Sequence, residues 1–134
     1  MKKTYTGGCH CGAVRFEADI DLSGGTFKCN CSICTKTRFW PAIVTADAFR
    51  LVAGEGELTE YLFNTRKNHH YLCKHCGVRS FGRGEIPGLG IPVYGVNVTC
   101  LDDVIIDELV DATVTYIDGR NDNWHLPPAE TRHL

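Results

Sequence analysis

Several features are missing from this sequence, and each absence narrows its reading. Charge of one sign is the first. Fourteen lysine and arginine residues face 16 aspartate and glutamate residues, for a formal net charge of -2. With no basic excess to meet a phosphate backbone, nucleic acid is not an expected partner. Long apolar runs are also missing. The stretch Met1-Lys2-Lys3-Thr4-Tyr5 lacks the apolar core of a secretory signal. No window approaches the roughly 18 apolar residues that a membrane span needs. No membrane partner is expected, and a cytoplasmic location is. Repeats, low-complexity tracts and a sustained apolar pattern of helical period are absent too. At 134 residues the chain suits one domain and is too short for two separate cores.

What remains is a succession of short apolar segments punctuated by glycine and proline. Val14, Phe16 and Ala18 alternate with Arg15 and Glu17, the pattern of a half-buried strand. Further strands are expected at Thr26–Cys29, Phe39–Thr45, His69–Leu72, Val78–Phe81, Val93–Val98, Val104–Ile106 and Thr113–Ile117. Pro41 implies an edge or irregular position for its strand. Leu51-Val52 and Leu58–Phe63 flank Gly54-Glu55-Gly56 and read as a hairpin. Asp118-Gly119-Arg120-Asn121 is a turn. Short helical turns are expected near Ser32–Lys36 and Asp47–Phe49. The fold class is therefore mainly β, with a modest core.

Cysteine is abundant, with eight residues. Seven fall in three clusters: Cys9 and Cys11; Cys29, Cys31 and Cys34; Cys73 and Cys76. In a reducing compartment such clusters mean metal or catalysis rather than disulfides. Zinc takes four tetrahedral ligands and favours thiolate sulfur. Two cysteines one or two residues apart let one loop supply two corners of the tetrahedron. Gly12 and Gly77 follow two of these pairs and suit a tight turn whose N–H groups can face the sulfurs. Seven ligands divide as four and three. Cys9 and Cys11 can join Cys73 and Cys76, leaving Cys29, Cys31 and Cys34 on one loop. Alternatively Cys31 and Cys34 join Cys73 and Cys76 as in a zinc ribbon, leaving Cys9, Cys11 and Cys29. The first is more economical, since it closes fewer long loops. In either division the four-thiolate site is closed and structural, and the three-thiolate site keeps an open corner. The competing reading closes the second site with His10, His69, His70 or His75.

The run Gly8-Cys9-His10-Cys11-Gly12-Ala13-Val14-Arg15-Phe16, then Cys29-Asn30-Cys31-Ser32-Ile33-Cys34, Cys73-Lys74-His75-Cys76-Gly77 and Tyr94-Gly95-Val96-Asn97-Val98 resembles the glutathione-dependent formaldehyde-activating enzyme family, also called the centromere protein V family. The likeness covers about residues 5 to 120. It implies a β-tent of small antiparallel sheets pinned by zinc, with residues 1–134 as one zinc-binding domain of that type. It implies a structural zinc on Cys9, Cys11, Cys73 and Cys76. A catalytic zinc on Cys29, Cys31 and Cys34 follows, with glutathione as its thiol partner. The implied activity adds glutathione to formaldehyde, giving S-hydroxymethylglutathione; formally it is a carbon–sulfur lyase in reverse. Asn68-His69-His70-Tyr71 is less typical of the family and would alter substrate preference if it lined the pocket.

The chemistry of three thiolates agrees. They more than cancel the charge of a divalent ion, so activation of water is a poor fit. Binding a further thiol is a better one, because the metal lowers a thiol pKa from about 8.5 and presents a thiolate at neutral pH. Such a thiolate attacks a small electrophilic carbon. Lys28, Lys36 and Arg38 could pair with the carboxylates of a thiol substrate, although each taken singly reads as a solvated cation. Phe39 and Trp40 could wall a pocket. Tyr94 and Asn97 lie in an apparent strand, where a packed tyrosine is expected. Cys100 reads as a buried thiol without a metal role. The alternative function is a non-catalytic zinc module that binds a protein partner; a homo-oligomer is compatible with either.

Overall fold

The computed structural model describes residues 1–86 and 88–134. Among them the chain forms three small sheets. The first is antiparallel, in the order β1 (Lys3–Gly8), β2 (Arg15–Ile20), β5 (Phe49–Ala53). Strand β2 alternates as expected, with Phe16, Ala18 and Ile20 buried and Arg15, Glu17 and Asp19 half-buried. The second is a five-stranded antiparallel sheet of β4 (Pro41–Thr45), β9 (Pro92–Asn97), β8 (Phe81–Glu85), β7 (His69–Cys73) and β6 (Leu58–Tyr61), in that order. Pro41 thus lies in an edge strand, where its missing N–H disrupts no ladder. The third pairs β3 (Thr26–Cys29) with β10 (Val114–Ile117).

The core lies where the first two sheets meet. Phe16 is 1% exposed. Its ring centroid is 5.4 Å from that of Phe49 and 6.3 Å from that of Phe81. Tyr94 stacks on Phe49 at 4.3 Å, so it is a packed tyrosine. Such pairs add roughly 0.5–1.5 kcal/mol beyond the apolar area they bury. No helix of the described residues is long and apolar enough to cross a membrane.

Four sequence expectations change. The hairpin between Leu51-Val52 and Leu58–Phe63 does not form. Strand β5 pairs with β2, and β6 pairs with β7 in another sheet. Gly54 serves a close approach instead, since a Cβ there would lie 2.2 Å from the Ala13 carbonyl oxygen. The strand expected at Val78–Phe81 begins only at Phe81, because the preceding residues close the second knuckle. Val104–Ile106 is not a strand; α2 (Ile106–Val110) starts there. Asp107 and Glu108 occupy its first turn, where acidic side chains favour a helix N-terminus, and Glu108 accepts a 3.0 Å hydrogen bond from the Tyr5 hydroxyl. Finally, β3 and β10 are parallel, so the sheets are not all antiparallel. The expected helical turns form as α1 (Ser32–Thr37) and a turn over Ala46–Ala48.

Candidate metal centres

Two loops of the same design meet at the first cluster. In each, the N–H of the leading cysteine donates to a carbonyl five residues on: Cys9 to Val14 at 3.1 Å and Cys73 to Val78 at 3.1 Å. Gly12 and Gly77 take φ of 86° and 75°, a left-handed conformation that glycine adopts without strain. The loops bring the sulfurs of Cys9, Cys11, Cys73 and Cys76 within 4.8 Å of one another. Cys11 Sγ lies 3.6 Å from both Cys9 Sγ and Cys73 Sγ. A tetrahedron with zinc–sulfur bonds of about 2.3 Å has edges of about 3.8 Å, so the spacing fits that ion. Backbone N–H groups donate to the sulfurs, from Val14 to Cys9 at 3.3 Å and from His75 to Cys73 at 3.4 Å. The N–H groups of Cys11 and Val78 pull the Cys76 thiol down to about 6, which favours the thiolate a metal requires.

The second cluster is built on one short stretch. Cys29 ends β3, Cys31 precedes α1, and Cys34 lies in the first turn of that helix. Their sulfurs also lie within 4.8 Å of one another. The Cys31 N–H donates to Cys29 Sγ at 3.4 Å. Contact with Cys29 and then Cys34 holds the Cys31 thiol far below its usual range, while contacts with Cys29 and Cys31 push Cys34 up. Three sulfurs this close share protons unevenly until a cation replaces them. Among the described residues no histidine, aspartate or glutamate completes the group.

The expected turn at 118–121 braces this loop. Asn30 Nδ2 donates to Asp118 Oδ1 at 2.8 Å, and Asn30 Oδ1 accepts from the Arg120 N–H at 2.9 Å. The buried Asp118 carboxylate also accepts from Asn121 and Asn123. Gly119 packs directly on Cys29, where a Cβ would lie 2.6 Å from Sγ.

A cavity of about 310 Å³ opens beside Cys29 and Cys34, walled by Lys28, Thr35, Arg38, Phe39, Trp40, Thr99 and Leu134. Lys28 Nζ sits over the Trp40 ring, 4.8 Å from its centroid. Arg38 caps α1 with φ 54° and donates to the His133 carbonyl at 2.6 Å. Lys36, Tyr94 and Asn97 are not in this wall, and neither is any of Asn68-His69-His70-Tyr71. Asn97 is structural: it donates to the Arg79 carbonyl at 3.1 Å and accepts from Thr99. Cys100 stands apart from both clusters, and burial pushes its thiol up to about 11. His10 is exposed; His69 bonds Glu60 at 2.9 Å, and His75 bonds Glu57 at 2.6 Å. His70 is buried and bonds Arg79 at 2.8 Å. Arg79 escaped the sequence reading. A lone arginine within Val78–Phe81 was the available signal, since a charge in an apolar segment is seldom buried without a partner.

The donor set and spacing therefore suit zinc at both groups, and the gathered sulfurs are Cys9 and Cys11 with Cys73 and Cys76, not the zinc-ribbon set. The profile of the family described as glutathione-dependent formaldehyde-activating enzyme matches residues 4–118. The chain belongs to this family. A crystal structure of a Rhodobacter sphaeroides protein is similar, with 32% identity, a TM-score of 0.69, and coverage of 82% of this chain and 99% of that one. The family match spans both cysteine groups and β10.

Proposed function

We propose that the chain is a zinc-dependent carbon–sulfur lyase and synthase. It acts on the adduct of a thiol, foremost glutathione, with formaldehyde or a similarly small aldehyde. Cys9, Cys11, Cys73 and Cys76 would hold a structural ion that pins the sheets into a β-tent. Cys29, Cys31 and Cys34 would hold a second. Zinc bound there would lower the pKa of an incoming thiol and stabilise its sulfur as nucleophile or leaving group. In the synthetic direction the thiol sulfur forms a bond to the aldehyde carbon, the carbonyl π pair moves to oxygen, and the thiol proton ends on that oxygen.

The single observation that carries this reading is a group of three sulfurs with no fourth donor among the described residues, opening on a cavity. The chain's own residues serve the rest. Phe39 and Trp40 give the cavity an apolar wall that limits water. Lys28 and Arg38 offer cations to carboxylates of a peptide thiol. Thr35 completes the wall beside Cys34. The test is Cys31→Ser assayed with glutathione and formaldehyde. The variant should keep its fold and one metal ion and lose glutathione-dependent turnover. Turnover equal to wild type would overturn the proposal.

A further inference from the structure

We propose that Arg79 is the counter-cation of the three-cysteine site, set in place by Thr37, His70 and Phe39 to favour an incoming thiolate. The inference rests on the two-metal reading above. Arg79 is only 9% exposed, and a buried charge is costly unless an opposite charge answers it. None of its hydrogen-bond partners is a carboxylate. Nη1 donates to Thr37 Oγ1 at 3.0 Å, and Nη2 donates to His70 Nδ1 at 2.8 Å. Nε has no acceptor among the described residues.

The surroundings fix where the charge points. The guanidinium carbon lies 3.7 Å from the centroid of Phe39, a ring that walls the same cavity as Cys34. Thr37 belongs to α1, one turn beyond Cys34. Burial works against the guanidinium charge, while the nearby Cys34 and Cys31 sulfurs favour it. His70 is a neutral acceptor here, because Nδ1 must present a lone pair to Nη2. His70 stacks on Phe63, with ring centroids 5.2 Å apart, so Nη2 meets a packed partner rather than solvent.

The anion that answers Arg79 is the loaded site itself. Three thiolates around a divalent ion leave a net charge of minus one, and a fourth thiolate raises it to minus two. Each increment is favoured by a fixed positive charge in a water-poor setting. Arg79 touches no substrate in this scheme. It is a positioning residue, and its effect extends to any thiol, including one without carboxylates. Lys28 and Arg38 would act differently, through the carboxylates of the substrate.

The test uses the full chain as wild type, Arg79→Gln and Arg79→Lys, loaded with cobalt(II) and titrated with 2-mercaptoethanol, a thiol with no carboxylate. Absorption from the four-cysteine site reports folding. Absorption from the three-cysteine site reports metal and thiol binding. R79Q should bind 2-mercaptoethanol at least about tenfold more weakly than wild type, and R79K should stay within about threefold. Equal affinity in R79Q and wild type overturns the inference. Equal loss in R79Q and R79K overturns it too, since packing and not charge would then be at stake. If R79Q fails to hold the first ion, R79K decides alone: affinity within that range supports the inference, and a tenfold loss overturns it. A wild type that binds no second ion overturns the two-metal reading and this inference together, whereas a normal wild type with an unaffected R79Q overturns the inference only.

Discussion

Gly119 offers a direct probe of the three-cysteine loop. A Cβ built there would lie 2.6 Å from Cys29 Sγ and 2.8 Å from the Trp124 ring. Ordinary contact for such atoms is about 3.5–4.0 Å, so a neighbour must yield by about 1 Å. The backbone itself accepts alanine, since Gly119 is not among the residues with positive φ. Trp124 is 45% exposed and can swing into solvent. Cys29 cannot move as freely, because it pairs with Ile117 in the β3–β10 ladder. The strain therefore falls on the sulfur. Metal–ligand distances tolerate only about ±0.2 Å, and overpacking of this kind costs about 1–3 kcal/mol. Gly119→Ala should thus weaken the second metal ion by roughly 5- to 150-fold and leave the first unchanged. Competition titration with a chromophoric chelator measures both affinities. Wild-type affinity at both sites in the variant would refute the reasoning.

Two further expectations bear on the core and its buried histidine. Burial, and then the Arg79 charge, hold the His70 imidazole down to about 4. The ordinary value of about 6.5 applies in the unfolded chain, so the unfolded state binds the extra proton first. The stability tied to neutral His70 is therefore complete above about pH 6.5 and lost as pH falls toward 4. Nitrogen-15 NMR should show an Nε2–H tautomer without titration between about pH 7.5 and 5.5, and a midpoint near 6.5 would contradict it. Phe16→Ala removes a ring packed against Phe49 and Phe81 and should cost about 3–5 kcal/mol. Urea unfolding of the metal-loaded protein measures this, and a loss under about 1 kcal/mol would show that the core lies elsewhere.

Much of the site was legible because it is local. Cys-x-Cys, Cys-x-x-Cys and the glycines behind them fix two or three ligands within one loop, and local chain geometry allows little else. Strand β2 was legible for the same reason, since its alternation lies in consecutive residues. Pairings between distant segments were not. Gly54 and Gly56 carry the signature of a hairpin turn, yet Gly54 lets the chain pass close to the first knuckle, and no local signal separates the two. Strand β1 carries Gly7 and Gly8, poor strand formers that here permit close approach: a Cβ on Gly7 would lie 2.4 Å from the Cys100 carbonyl oxygen. The parallel pairing of β3 with β10 joins segments 88 residues apart, as in Thr26 with Val114. That pairing puts Asp118 on Asn30. Arg79 lies outside every cysteine motif, and it reaches α1 only through tertiary contacts, with Thr37 on that helix and His70 on β7 as its partners.

The central claim is that seven cysteines hold two zinc ions, four closing one site and three leaving the other open to a thiol. Zinc counting on wild type and Cys31→Ser, with and without glutathione, tests it most directly. Two ions are expected in the wild type and one in the variant. Glutathione should strengthen retention of the second ion in the wild type only. One ion in both proteins, or two in both with no response to glutathione, would contradict it.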